Sequence, residues 1–225
     1  MKIRRLDQDF LRLSLYEFRV QFRRSLSSVR SKKRGDSVSK PFILWTLHTR
    51  PEESVSCLGL GQDEFEVILM ARKLIPTQFD LVVKENPQME GRRDPQLRNS
   101  LEKTPGLIWA DARSDTKELL LRSSGVASLS GTALLEAAII GKPTWAMGRP
   151  EFEMILTGQG LSGFEAFLAA VLYGSPPAQT KLVSAYLNFI ESEARDSDRP
   201  FEYNLEADDS EAMIQGFAER LFAID

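Results

Sequence analysis

The stretch that decides the fold lies at residues 125–148 and reads GVASLSGTALLEAAIIGKPTWAMG. It opens with an apolar run of strand length, turns at Ser130 and Gly131, and continues as an amphipathic segment of helix length. Gly141 and Pro143 end that predicted helix before a second apolar run begins. A strand, a helix and a second strand in this order predict a βαβ unit with parallel strands.

The same alternation extends upstream of this unit. Further apolar runs lie at 42–47, 79–84 and 106–110, and helix-length segments lie at 62–74, 95–103 and 115–123. Asp63 followed by Glu66 resembles a capping box at the start of the first helix, and Pro76 follows its end. We therefore expect an α/β fold, a Rossmann-like parallel sheet flanked by helices, with ligands at the carboxyl ends of its strands.

Composition narrows the chemistry. The chain has 225 residues, of which 42% are hydrophobic and 27% charged, as in ordinary globular proteins. The single cysteine, Cys57, excludes an internal disulfide, and the single histidine, His48, excludes a site that needs two imidazoles, so we expect no metal site. No apolar run approaches the roughly 20 residues of a membrane-spanning helix, which predicts a cytoplasmic protein.

The charge is unevenly distributed. Residues 1–40 contain 12 Lys and Arg against 4 Asp and Glu, whereas the rest of the chain carries −11. We expect a basic amphipathic helix near residues 6–24, which would either contact an anionic surface such as the inner membrane or pack on its own or a partner domain. The acidic remainder argues against nucleic-acid binding. We divide the chain into this basic segment, a Rossmann-like domain at 41–160 and a helical extension at 161–225 that packs on the domain.

The turn after the strand at 125–129 is suited to phosphate. Gly131 allows a ligand to approach the backbone, the hydroxyls of Ser128, Ser130 and Thr132 offer donors, and a helix amino terminus favours an anion. Glu136 lies one helical turn after Thr132 and could accept hydrogen bonds from a ribose diol. The alternative is that Ser130 or Thr132 simply caps a helix.

Two other loops at carboxyl ends carry polar groups. His48 and Glu52 follow the first strand, where an imidazole could pair with a phosphate or shuttle a proton, although a lone histidine is often structural. Lys84, Glu85, Asn86 and Pro87 end the second strand. Lys84 could neutralise a phosphate, or it could be a solvated lysine before an Asn-Pro turn. Three arginines downstream could contact an anion or form a solvated face, at positions 92, 93 and 98.

These loops, in this order, resemble the capsule polysaccharide biosynthesis family, which consists of GT-B-type glycosyltransferases and includes bacterial Kdo transferases. The likeness covers roughly residues 41–152. It rests on a leucine-histidine and proline-glutamate loop, a lysine-glutamate-X-proline strand end, a serine-glycine-threonine turn, a glutamate-alanine helix and a glycine-lysine-proline strand. They lie here at 47–52, 84–87, 130–132, 136–137 and 141–143.

The resemblance implies the nucleotide-sugar-binding half of a GT-B fold, with a CMP- or UDP-linked donor and no metal or other cofactor. The loops at 84–87 and 130–132 would hold the donor phosphate, Glu136 would lie near the ribose, and His48 and Glu52 would line the cleft as candidate catalytic residues. Relatives that use CMP-linked sugars have a histidine where this chain has Asn86. An amide can donate a hydrogen bond but carries no positive charge.

A complete GT-B enzyme needs a second domain of about 100 to 200 residues. We therefore expect a fragment, a half-enzyme completed by a partner chain, or a degenerate remnant. The leading hypothesis is a glycosyltransferase donor domain that serves a saccharide or lipid-linked acceptor in surface polysaccharide synthesis. The alternatives are a non-catalytic assembly module that acts through a partner protein and, third, a sugar-nucleotide epimerase.

Overall fold

The computed structural model describes Val20 and residues 38–49, 63–150, 152–174 and 177–195. The predicted basic helix, apart from Val20, and Glu52 lie outside these residues. The strands are β1 (Phe42–Thr46), β2 (Asp80–Lys84), β3 (Leu107–Ala110), β4 (Gly125–Ser128), β5 (Thr144–Ala146) and β6 (Gly158–Gln159). The helices are α1 (Glu64–Leu74), α2 (Pro95–Glu102), α3 (Thr116–Arg122), α4 (Ala133–Ile139), α5 (Phe164–Tyr173) and α6 (Pro177–Arg195).

The strands form one parallel sheet in the order β3-β2-β1-β4-β5-β6. The chain first builds outward from β1 to β3 and then returns to the other side of β1 to place β4. The strand order therefore reverses between β1 and β4, and a Rossmann-like sheet opens a crevice at that point. The predicted α/β parallel fold is confirmed, and all five predicted strands are present.

The sixth strand was not predicted from the sequence. β6 has two residues and pairs with β5. A side chain cannot replace the hydrogen atom of Gly158, since a Cβ there would lie 2.0 Å from the carbonyl oxygen of Gly163. This close approach of two backbone segments holds the strand in place, and two residues are too few to show a periodic pattern.

The core lies on both faces of the sheet because successive side chains of a strand point to opposite sides. Ile43 and Trp45 of β1 join a cluster with α1 and α5, whereas Phe42 and Leu44 join a second cluster with α3, α4 and α6. The two helices of the predicted carboxyl-terminal extension that are described thus cover opposite faces.

Aspartates begin several helices, as the predicted cap at Asp63 anticipated. The side chain of Asp63 accepts a hydrogen bond from the backbone N–H of Phe65 at 2.8 Å, and Asp94 and Asp115 cap α2 and α3 in the same way. Across the described residues, every helix is too short or too polar to span a lipid bilayer.

Candidate functional site

A cleft of about 390 Å³ lies at the carboxyl ends of β1, β2 and β4, at the switch point of the sheet. It is lined by residues from the three loops that the sequence singled out and by the start of α4. These residues are Thr46, Leu47, His48, Lys84, Glu85, Asn86, Pro87, Thr116, Ser130, Gly131, Thr132, Ala133 and Glu136. The fold thus brings together nine of the candidate site residues, which are separated by up to 88 positions in the sequence.

His48 is the least expected group in this cleft, because its imidazole is buried and half of its hydrogen-bonding capacity is unused. The ring Nδ1 lies 3.3 Å from Oε1 of Glu64, a carboxyl group with no exposed surface. Within the described part of the chain, no hydrogen-bond partner reaches Nε2. A Cβ built on Gly131 would lie 3.0 Å from this nitrogen, so only glycine lets the backbone approach the ring this closely.

A buried ion network lies behind His48. The guanidinium of Arg93 donates from Nε to Glu85, with both carboxylate oxygens at 2.9 Å, and from Nη2 to the carbonyl of His48. Its Nη1 is 3.8 Å from Oε2 of Glu64. Arg93 is therefore part of the core of the site, and its interpretation as a solvated residue is wrong.

Glu85 faces Arg93 as well as the cleft. Burial raises the pKa of the Glu85 carboxyl, while the charge and the hydrogen bond of Arg93 act in the opposite direction. One oxygen also accepts from the backbone N–H of Asn86 at 2.9 Å. These hydrogen bonds hold the Glu85 carboxylate against Arg93 and help to orient the loop at 84–87.

Lys84 has an exposed fraction of only 3%, so its interpretation as a solvated lysine is also wrong. Its ammonium donates to the carbonyls of Glu85 at 3.2 Å and Ala112 at 2.7 Å, which joins the end of β2 to the loop after β3. Burial lowers the pKa of Lys84, and the carboxylate of Asp111 acts most strongly against that effect. These two bonds use two of the three N–H donors of the ammonium group.

Asn86 follows Glu85 in the loop after β2. Its side-chain oxygen accepts from the backbone N–H of Gln88 at 3.0 Å and so caps a single 3-10 turn at Pro87–Met89. The interpretation of Asn-Pro as a turn is correct. The amide nitrogen is the only group of this side chain that can still act as a donor toward the cleft.

The turn at residues 130–132 contributes differently from what a helix cap would. Thr132 precedes α4 in helical conformation and makes no side-chain capping bond, so its interpretation as a capping residue is wrong. Glu136 lies one helical turn after Thr132, on the same face of α4 as that residue. Its side chain is partly buried, and burial raises the pKa of its carboxyl. Ser128 lies outside the cleft lining: its hydroxyl is fully buried and donates to the carbonyl of Thr46 at 2.9 Å, which ties β4 to β1.

Glu64 was not among the predicted site residues, and Arg93 was predicted to contact an anion or to be solvated. A signal for Glu64 was present, since it lies three, four and seven residues before Val67, Ile68 and Ala71, which form the buried stripe of α1. An acidic residue in the first turn of a helix ordinarily faces solvent, which concealed this position. For Arg93 no sequence signal distinguishes a buried guanidinium from an exposed one.

Fold and cleft together define a Rossmann-like α/β domain with a cleft at the switch point of its sheet. Three solved structures are similar to it at low identity. Thermosulfurimonas dismutans KpsC, a beta Kdo 2,4 transferase, has a TM-score of 0.44 and 16% identity, and the match covers 65% of this chain and 53% of that one. The S. aureus MnaA-UDP co-structure has a TM-score of 0.41 and 19% identity, and the match covers 73% of this chain and 48% of that one. Os79 from O. sativa in complex with UDP has a TM-score of 0.39 and 18% identity, and the match covers 81% of this chain and 41% of that one.

The chain spans about half the length of these structures. No protein-family model matches the sequence, and no curated protein matches it. Because the TM-scores are below 0.5, the similarities do not define what the chain does. The function has to be argued from the residues of the cleft.

Proposed function

We propose that the cleft binds the nucleotide and phosphate of a nucleotide sugar, and that the chain is the donor-binding half of a GT-B-type glycosyltransferase in bacterial surface-polysaccharide synthesis. The observation that carries the proposal is the buried Nε2 of His48, which lies against Gly131 at the edge of the cleft without a hydrogen-bond partner among the described residues. A buried polar atom of this kind costs free energy unless a ligand or water satisfies it. The cleft volume falls in the range of small-molecule sites, about 300 to 1,000 Å³.

The distribution of charge in the cleft favours an anion at one end. His48 and Lys84 are the basic side chains of the lining, and the turn at 130–132 adds hydroxyls and backbone N–H groups. Glu136, at the start of α4, offers an acceptor to sugar hydroxyls. We therefore propose that a phosphate lies between His48, Lys84 and the turn, with a ribose near Glu136, which follows from the motif resemblance as well as from the geometry.

The chemistry proposed for this site is electrostatic. A departing nucleotide phosphate would be stabilised by preorganised donors, namely His48, Lys84 and the amide of Asn86. His48 and Glu52 remain the predicted candidates for acid/base work. The acceptor, whether a saccharide or a lipid-linked sugar, and the domain or partner chain that would close the opposite side of the cleft are parts of the same proposal.

Calorimetric titration of the purified chain with UDP and with CMP tests the proposal. We expect one of them to bind, and Thr132→Val to weaken that binding without loss of stability, because the hydroxyl of Thr132 makes no capping bond. Lys84→Ala and Gly131→Val should abolish binding. Lys103→Ala, which removes an exposed lysine at the end of α2, is the matched control. A folded chain that binds neither nucleotide would contradict the proposal.

One observation favours the second hypothesis, a non-catalytic assembly module. Asn86 replaces an ionisable side chain and uses its side-chain oxygen to cap a turn, so the loop at 84–87 has one cation fewer than the resembled family. Nucleotide binding without sugar transfer, together with partner binding that survives His48→Ala and Glu136→Ala, would support the module.

A further inference from the structure

The least exposed acidic residue of the site is Glu64, a position to which the proposed function assigns no role. It is the first residue of α1, its exposed fraction is 0%, and Oε1 lies 3.3 Å from Nδ1 of His48. A carboxyl group in the core is retained only where charges or donors compensate its burial. The groups that face Glu64 therefore show what it does.

Among the described residues, two groups face Glu64, and the nearer one is His48. Arg93 Nη1 is 3.8 Å from Oε2, beyond hydrogen-bond distance, while Arg93 Nε is 2.9 Å from Glu85. The guanidinium is thus committed mainly to Glu85. The nearest polar group to Glu64 is therefore the imidazole, through its Nδ1.

With the proton on Nδ1, a neutral imidazole presents a bare lone pair at Nε2. That nitrogen is buried, lacks a partner in the described part of the chain and faces Gly131. Oxygens of a phosphate carry lone pairs as well, so a neutral ring in this orientation would repel them. The same ring becomes a donor at both nitrogens once it gains a proton.

We infer that Glu64 is the positioning residue of a proton-linked anion site, in which phosphate binding at Nε2 is accompanied by uptake of one proton from solvent by His48. The resulting imidazolium donates from Nε2 to the phosphate and from Nδ1 to Glu64, and no covalent bond forms or breaks. The inference rests on the proposed function, since it requires the cleft to accept a phosphate. It assigns the cleft a preference for anionic phosphate groups over neutral sugars.

The other charged groups around His48 do not pair with its imidazole ring as Glu64 does. From the loop before α2, Arg93 binds the backbone carbonyl of His48. Lys84 and Glu85 face the cleft from the end of β2, where Lys84 donates to backbone carbonyls and Glu85 accepts from Arg93. Glu136 faces the cleft from α4. Among the described residues, Glu64 alone has a carboxylate oxygen paired with the imidazole.

Calorimetry at pH 7.5 in buffers of different ionisation enthalpy measures the uptake directly. Binding of whichever of UDP or CMP the cleft accepts should be accompanied by proton uptake, seen as a binding heat that depends on the buffer. Glu64→Gln should reduce the uptake to less than about half and weaken binding about tenfold at pH 7.5, with a smaller effect at pH 5.5. Glu66→Gln removes an exposed carboxylate from the same helical turn and should change neither value.

The single histidine of the chain gives a second readout that needs no ligand. Nitrogen-15 spectra of the imidazole should show the proton on Nδ1 in the free protein, and Glu64→Leu should remove this preference while His48→Gln removes the signal.

Binding of a nucleotide with no buffer-dependent heat, or with the same proton uptake in Glu64→Gln, would overturn the inference and leave the proposed function intact. A bare Nδ1 in the free protein would overturn it as well. Absence of any nucleotide binding would overturn the proposed function and the proton uptake together.

Discussion

Replacing Gly131 with alanine tests the arrangement of the cleft without any assumption about its ligand. The new Cβ would lie 3.0 Å from Nε2 and 3.4 Å from Cε1 of His48, and 3.4 Å from Oγ of Ser128. The backbone itself tolerates alanine, since Gly131 is not one of the glycines with positive φ. Any cost must therefore come from the contact with the imidazole.

That cost can be worked out from two opposing terms. A compatible Gly→Ala substitution stabilises a protein by about 0.4 to 1 kcal/mol through the unfolded chain. Overpacking costs about 1 to 3 kcal/mol, and His48 cannot move freely because Glu64 holds its ring and Arg93 its carbonyl. We expect Gly131→Ala to lower the free energy of unfolding by about 1 kcal/mol, and a domain of this size should then lose roughly 2 to 4 °C in melting temperature.

Urea denaturation of a double-mutant cycle separates the clash from other effects. In a His48→Ala background the imidazole is gone, so Gly131→Ala should be neutral or stabilising, with a coupling energy of about 1 to 2 kcal/mol between the two positions. If Gly131→Ala were as stable as the wild type, or the coupling were zero, the imidazole would not face Gly131, and the observation that carries the proposed function would be lost.

Two further predictions follow from the buried charges. Arg93→Ala should lower the free energy of unfolding by about 3 to 5 kcal/mol at pH 7.5 because it leaves Glu85 and Glu64 buried without a guanidinium. The loss should be smaller at pH 5, because burial raises the pKa of Glu85 and its protonation relieves the unpaired charge. Urea denaturation measures both values, Arg122→Ala on an exposed pair is the control, and a loss below about 1 kcal/mol at pH 7.5 would contradict the network. Burial raises the pKa of Glu136 above its unfolded value, so the stability it contributes is present below that value and is lost as pH rises through the folded pKa. In thermal unfolding, Glu136→Gln should therefore be more stable than the wild type at pH 8 but not at pH 4. Glu165→Gln, which changes an exposed carboxylate, should show no such pH dependence. Equal gains for Glu136→Gln at both pH values would contradict the raised pKa of Glu136.

The strands of the sheet and the location of the cleft can both be predicted from the pattern of apolar residues in the sequence. The centre of a strand such as β2, at residues 81–83, is apolar because parallel strands are buried on both faces, and β1 to β4 are each followed by a helix. Since all these strands are parallel, their carboxyl ends fall at one edge, which is why loops as distant as 48 and 130 could be placed together.

What could not be predicted depends on packing between elements. The direction of the Ser128 hydroxyl depends on the neighbouring strand β1, so a side chain that appeared suited to phosphate instead links two strands. The burial of Glu64 and Arg93 depends on α1 and the 85–94 loop meeting, and no local pattern encodes that meeting. The buried contacts of the site therefore depend on tertiary packing, whereas the loops that line the cleft can be predicted from local sequence.

The placement of the aromatic residues has an experimental consequence. All three tryptophans of the chain, Trp45, Trp109 and Trp145, lie on strands within the same buried cluster, and none lines the cleft. Their fluorescence will therefore report the integrity of one face of the sheet, with little direct quenching by a nucleotide in the crevice. When unfolding is followed by tryptophan fluorescence, a shift of the midpoint on addition of a ligand can then be assigned to the free energy of binding. The tryptophans therefore report unfolding of the domain separately from occupancy of the cleft.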